Sequence, residues 1–464
     1  SDPPATDPPA ANAPAIALRS EANEAILARF EQLSETDLRA APILLDPIPA
    51  EPIPTDEVLV FRQRPAGVKN LPEANATSLL DHMDVVKVEA PGIKSLNADQ
   101  RQALLRDRIR RLEADPAVRF AIPNYRVYRF AAPSTHFITA QWALRNEFHA
   151  GNSTRWSRVA ERAQRIEPAL IGVVDGAPDI NDPRLRPLFW ENAGEIADNG
   201  KDDDGNGFVD DRFGYDFSAK SHRFKFSGFS HAAFVSSVIG GRITGDPDDV
   251  IGIAPRSRIV HAAALGDGQG DLQTILKGIA YAADQGATVI NLSLGGPVPQ
   301  EHLEKLVQEE PLWQELQKRG VILVCAASNS HTDNDRRPVF PANLPLPNVI
   351  SVMAVDPAGN IAHAPDENGE WVPFSNYGAQ SVDLAAPGAL ILGIPGKGQT
   401  QLQNGTSFAA PMVTAALALV RGQHPDWDAR TVMRAVLETT TPAESLRDRC
   451  VTEGTLNLEA ALNW

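Results

Sequence analysis

The feature that most limits what this chain can fold into is a set of short, almost wholly apolar runs at 170–174, 258–263, 288–292, 321–326 and 349–355. None alternates polar with apolar residues, as a strand with one wet face would. Unbroken apolar runs of this length read as strands buried on both faces, the condition of parallel strands roofed by helices on either side. The segments between them supply such helices, at 272–285 and 301–318. The expectation for 136–464 is therefore a doubly wound, mostly parallel α/β sheet.

The first third has a different character. Residues 1–15 hold five prolines and five alanines without apolar periodicity, which predicts an extended tail over 1–50. From 57 to 132, strand signals at 58–62, 85–89, 118–122 and 125–130 are interleaved with helical signals at 76–82 and 98–113. That order predicts a small α+β, ferredoxin-like domain.

Charge and cysteine usage exclude whole classes. With 43 basic and 59 acidic residues the net charge is −16, a poor match for nucleic acid or anionic membrane surfaces, which attract basic patches. Two cysteines, Cys325 and Cys450, do not make a disulfide scaffold, and Cys325 inside an apolar run reads as a small buried hydrophobe. The longest helical apolar stretch, 408–420, contains Pro411 and Thr414 and falls short of the roughly 20 residues a bilayer requires. The chain opens at Ser1 without a charged-then-apolar leader, so an export signal is expected to have been removed.

Three segments put a polar residue where open α/β sheets build their sites. Asp175 ends the run Ile171-Gly-Val-Val-Asp175, where a carboxylate can be buried yet hydrogen-bonded. His231 precedes the apolar stretch Ala232-Ala-Phe-Val-Ser-Ser-Val-Ile239; at the amino end of a helix an imidazole is held neutral and basic. Ser407 follows Asn404-Gly-Thr406 and opens a small-residue helix, a place from which a hydroxyl and a backbone N–H can address one point. Asn329 stands at a further strand end and could donate its amide to an oxyanion. Each of these alone has an ordinary structural reading as a cap, turn or core residue.

Together they resemble the subtilisin-like serine proteases, or subtilases. Asp175, His231 and Ser407 follow one another in that family's order at separations of 56 and 176 residues, and a Gly-x-Ser-x-Gly elbow of the α/β-hydrolase kind is missing around the serine. Further matches are Val289-Ile-Asn-Leu-Ser293-Leu-Gly-Gly296, Phe340-Pro-Ala342, Phe374-Ser-Asn-Tyr-Gly378, Ala385-Ala-Pro-Gly388 and Gly454-Thr-Leu-Asn457. The resemblance implies a secreted or periplasmic endopeptidase, monomeric, acting on proteins or peptides, with Asp175, His231, Ser407 and Asn329 as catalytic residues. It also implies that 57–132 is an inhibitory propeptide cut off between Tyr128 and His136. Ser293, Leu294, Gly295 and Gly296 would bind the substrate backbone, and Ser328 and Val339 would narrow the primary specificity pocket.

The residues beside the candidate triad depart from the family. His231-Ala-Ala-Phe-Val-Ser-Ser237 replaces His-Gly-Thr-His-Val-Ala-Gly, Asp175-Gly-Ala177 replaces Asp-Thr-Gly, and Ala327-Ser-Asn329 replaces Ala-Gly-Asn. These changes keep open an alternative in which the chain is an inhibited or non-catalytic relative. The run Asp202-Asp-Asp204-Gly-Asn206-Gly-Phe208-Val-Asp210 resembles the first half of a calcium loop, with Asp202, Asp204, Asn206, Phe208 and Asp210 as candidate ligands; position twelve is Phe213, so a complete EF-hand is excluded. Arg184 stands where relatives often place an acidic calcium ligand, which counts against a second site there.

Overall fold

The computed structural model describes residues 54–62, 83–87, 98–115, 118–125, 141–144 and 153–464, apart from 227, 243–248, 267, 269, 271, 310 and 366–370. The expected tail, the helix at 76–82, the strand at 126–130 and the cleavage segment lie outside the described residues.

Strands β1 (Pro54–Arg62), β2 (Met83–Lys87) and β3 (Val118–Tyr125) form an antiparallel sheet in the order β2-β1-β3, accompanied by helix α1 (Ala98–Glu113). The helix has the bounds that its periodicity predicts. Strand β3 runs through Pro123 to Tyr125, so the separate strand expected to begin at Tyr125 starts as part of its neighbour.

After a short helix α2 (Ala160–Arg165) comes the main body. Its strands are β4 (Ile171–Gly176), β5 (Gly214–Asp216), β6 (Ile259–Leu265), β7 (Val289–Leu292), β9 (Ile322–Ala326), β11 (Val349–Val355), β14 (Leu384–Pro387), β17 (Thr441–Pro442) and β18 (Gly454–Thr455). They make one nine-stranded sheet, ordered β17-β18-β14-β11-β9-β7-β4-β6-β5, parallel throughout except at the β17 edge. The residues of β4, β6, β7, β9 and β11 are buried almost without exception, the burial that continuous apolar runs demand. Minor strands pair outside it: β8 (Gly296–Pro297) with β10 (Val339–Phe340), β12 (His363–Pro365) with β13 (Trp371–Pro373), and β15 (Ile391–Gly396) with β16 (Gln399–Gln403).

Helices cover both faces. On one side lie α3 (His231–Gly240), α7 (Thr406–Gln423), α8 (Ala429–Leu437) and α9 (Leu458–Leu462); on the other lie α4 (Leu272–Asp284), α5 (Gln300–Glu309) and α6 (Leu312–Lys318). The single helix expected over 301–318 is two, because Pro311 has no N–H to continue the ladder and instead stands as the N-cap residue of α6. Helix α7 is apolar all round and buried along its length, which suits a helix enclosed between the sheet and α3, α8 and α9 rather than one lying at the surface. Both cysteines are free and buried. No helix among the described residues is long and apolar enough to cross a membrane.

Candidate active site

Strand β4 carries Asp175 to the carboxyl edge of the sheet, where it is 1% exposed. Its Oδ1 accepts the Gly176 N–H at 2.6 Å, and both oxygens lie 2.9 Å from His231 Nδ1. His231 is the first residue of α3. Ser230 fixes that start: its Oγ accepts from the Ala233 N–H at 3.1 Å and donates to the Ala177 carbonyl at 2.7 Å, while its N–H donates to the Pro395 carbonyl at 3.0 Å. One N-cap serine thus ties the histidine's helix to the segment after Asp175 and to the β15 strand. Its signal in the sequence is a serine directly before an apolar helical run.

Two influences act on the imidazole. Burial pushes its pKa down; the Asp175 carboxylate, by charge and by hydrogen bond, more than offsets this and holds it above the ordinary histidine value. The depression expected from the helix amino end is therefore not the outcome, because a carboxylate in contact outweighs partial charges on the first turn.

Ser407 is the second residue of α7, in the turn whose N–H groups have no helical acceptor. Gly405, two residues before it, has φ 160° and ψ 149°. Pro411 is four residues further on and cannot donate to the Ser407 carbonyl. That freed carbonyl accepts instead from Ser293 Oγ at 2.8 Å; Asn291 Nδ2 donates to Ser293 Oγ at 2.9 Å, and Asn291 Oδ1 accepts from Thr414 Oγ1 at 3.0 Å. The chain Thr414, Asn291, Ser293 locks the first turns of α7 against β7. Ser407 Oγ donates to the Ser293 carbonyl at 3.3 Å in this rotamer rather than to the imidazole.

Asn329 follows β9. Its Oδ1 accepts from the Thr406 N–H at 2.8 Å and from Thr406 Oγ1 at 2.9 Å, which leaves the amide NH2 as the donating end. Thr406 is a residue that the motif alone does not mark as an anchor. Ser328, in the family's glycine position, has φ 91°, a strained backbone for a side-chain-bearing residue. Gly295 approaches the Phe340 carbonyl so closely that a Cβ would lie 2.4 Å from its oxygen and 3.3 Å from the Val339 side chain. Leu294 and Val339 are buried and Gly295 is exposed.

With Asp175 and His231 in contact, Asn329 tied to Thr406, and Ser407 joined to Ser293, the site can be set beside known proteins. The sequence pattern of the Subtilase family matches residues 168–459. This chain belongs to the subtilase family. Subtilisin BL of Lederbergia lenta is 34% identical over 46% of this chain and 70% of its own length. The "thermophilic serine proteinase" of Bacillus sp. strain AK1 is 30% identical over 76% of this chain and 74% of its own. Among solved structures a lanthipeptide protease superposes with a TM-score of 0.52 at 19% identity, covering 71% of this chain and 96% of that one, a likeness of fold. The subtilase fold is a mostly parallel sheet wrapped by helices, as described above, and the enzyme class is that of subtilisin-like serine proteases.

Of the candidate metal residues of this subtilase, Asp202 and Asp204 come together with a carboxylate from outside the Asp-rich run. Glu195, Asp202 and Asp204 offer carboxylate oxygens within 4.8 Å of one another. Glu195 lies outside the Asp-rich run, and its Oε1 accepts the N–H groups of Asp203 and Asp204 at 2.9 and 3.2 Å. Asp210 turns to the N–H groups of Asn199 and Gly200, at 2.9 and 3.0 Å. Asn206 Oδ1 accepts the Phe208 N–H at 2.8 Å, and the Phe208 ring packs with Tyr215, Phe217 and Tyr281. Arg184 is buried, paired in two-pronged fashion with Asp182 at 3.1 and 2.8 Å, and donates to the Gln399 carbonyl at 3.0 Å. A guanidinium thus joins the segment after β4 to the β15–β16 hairpin.

Proposed function

We propose that this subtilase is a serine endopeptidase in which Ser407 is the nucleophile, His231 the general base and acid, and Asp175 the group that holds the imidazole tautomer. The observation that carries the reading is the buried Asp175 carboxylate 2.9 Å from His231 Nδ1. That contact requires Nδ1 to bear the proton and leaves Nε2 as the base. In this mechanism the Ser407 side chain turns away from the Ser293 carbonyl so that Oγ can donate to Nε2. Oγ then attacks the scissile carbonyl carbon while its proton passes to Nε2. The resulting oxyanion is met by the Ser407 N–H and Asn329 Nδ2. The C–N bond breaks as His231 returns the proton to the leaving amine. Water, deprotonated by the same imidazole, hydrolyses the acyl-enzyme.

The segment Ser293, Leu294, Gly295 and Gly296 would receive the substrate backbone as an added strand. Ser328 and Val339 would limit the primary pocket to small or medium apolar side chains. Residues 57–132 act in this reading as an inhibitory propeptide preceding a catalytic domain at 136–464, with cleavage between Tyr128 and His136, and the enzyme works as a monomer outside the cytoplasm.

Three convergent carboxylates are hard oxygen donors of the type calcium prefers. Glu195, Asp202 and Asp204 would hold the ion, which would tie down their loop and take no part in the chemistry. Glu195→Gln is expected to abolish a calcium-dependent rise in Tm.

A fluorophosphonate probe tests the activity. Labelling that disappears in Ser407→Ala supports it. Failure to label after proteolytic removal of residues 1–135 would refute it in favour of a non-catalytic role.

A further inference from the structure

Between Phe408 and Val420 helix α7 carries a single side-chain hydroxyl, that of Thr414. It is 0% exposed, between Val413 and Ala415, about two turns beyond Ser407. A buried hydroxyl requires partners, and Thr414 Oγ1 has two oxygens in reach, Asn291 Oδ1 and the Ala410 carbonyl, each at 3.0 Å. The Ala410 carbonyl, four residues back, is the ladder acceptor of the Thr414 N–H, which leaves the hydroxyl proton for Asn291. Asn291 is itself 0% exposed, and a carboxamide turned end for end exchanges donor and acceptor. With Oδ1 toward Thr414, Asn291 Nδ2 donates to Ser293 Oγ at 2.9 Å, and the Ser293 proton goes to the Ser407 carbonyl at 2.8 Å. With the amide reversed, Ser293 would donate to Oδ1 instead. The Ser407 carbonyl, which Pro411 deprives of its helical donor, would then have none. The Thr414 hydroxyl thus selects the amide orientation, and the amide sets the direction of the Ser293 proton. That proton holds the peptide unit on the far side of Ser407, while the near side is held by the Thr406 N–H on Asn329 Oδ1 at 2.8 Å. Fixing the backbone on both sides fixes the directions of the Ser407 Oγ and N–H.

We propose that Thr414 is a positioning residue for the reaction: without touching substrate, it orients the Asn291 amide and, through Ser293, holds Ser407 in its reactive setting. The proposal rests on the reading of Ser407 as the nucleophile. The experiment measures kcat and KM on a fluorogenic peptide chosen from a library, using the full chain after its own processing. The variants are Thr414→Ser, Thr414→Ala and Thr414→Val, alone and combined with Ser293→Ala. Thr414→Ser keeps the hydroxyl and is expected to stay within about 2-fold of wild type, whereas Thr414→Ala and Thr414→Val lower kcat by roughly 10-fold with KM little changed. In the Ser293→Ala background the same replacements are expected to lower kcat no further, because the route to Ser407 is already cut. The proposal is overturned if Thr414→Ala keeps its kcat, if Thr414→Ser falls as far as Thr414→Ala, if KM carries the loss, or if the losses from Thr414→Ala and Ser293→Ala multiply. Ser and Ala at this position differ by the hydroxyl alone, so their comparison decides the matter even where the Val variant fails to fold. Fluorophosphonate labelling of Ser407 separates the two readings. If wild type labels and Thr414→Ala labels equally fast, only the role of Thr414 fails. If wild type does not label, the protease reading fails and takes this one with it.

Discussion

His261 gives this fold an acid sensitivity that can be worked out in advance. It lies in the middle of β6, 1% exposed, with the Phe189 ring 5.0 Å away and Ser236 Oγ 3.3 Å from Nε2, and its Nδ1 has no partner. Burial pushes its pKa down from 6.5 to about 3, so the folded chain holds the ring neutral while the unfolded chain protonates it near 6.5. A base whose pKa is depressed by folding costs nothing above the unfolded value. It then withdraws stability steadily as pH falls from 6.5 towards 3, at about 1.4 kcal/mol per pH unit. The loss is about 2 kcal/mol at pH 5 and about 5 kcal/mol if the whole interval is crossed. The test replaces His261 by Leu in a Ser407→Ala background, which prevents self-digestion, and measures urea unfolding by tryptophan fluorescence at pH 7.5 and pH 5. Relative to the parent, the variant is expected to gain about 2 kcal/mol on going to the lower pH, whatever its offset at pH 7.5. An offset equal at the two pH values within about 0.5 kcal/mol would refute the reasoning, since it would mean that His261 takes no part in acid unfolding.

Asp175→Asn removes the charge that holds the His231 pKa up against burial; the acidic limb of kcat/KM against pH is expected to move to lower pH, with kcat falling by about 10⁴-fold through loss of the correct tautomer. Ser328→Gly relieves a backbone at φ 91° and is expected to stabilise by about 1 kcal/mol in chemical denaturation and to admit bulkier side chains in a peptide library. Arg184→Met leaves the Asp182 carboxylate buried without its partner, and thermal or urea unfolding is expected to show a loss of about 3 kcal/mol or more. Retained stability would mean that the guanidinium does not clamp the β15–β16 hairpin.

Much of this was legible along the chain. Almost wholly apolar runs are buried on both faces, so β4, β6, β7, β9 and β11 and their roofing helices follow from pattern alone. Asp175, His231 and Ser407 could be picked out because each ends a strand or opens a helix, and their order carries family information. Pro311, which has no N–H to donate, is the signal in the sequence that 301–318 is two helices.

Other features exist only through space. Glu195 joins Asp202 and Asp204 from outside the Asp-rich run because loop closure, not spacing, brings their oxygens together. The upward pull on His231 comes from a residue 56 positions away. The bond from Ser293 to the carbonyl that Pro411 leaves free spans 114 positions, and the bonds of Thr406 to Asn329 span 77. Local sequence determined which segments are strands and helices, since propensity and burial pattern act over a few residues. The tertiary structure decided strand order, which donors meet which acceptors, and which protonation states are stable, because hydrogen bonding and desolvation depend on distances that only the folded sheet sets.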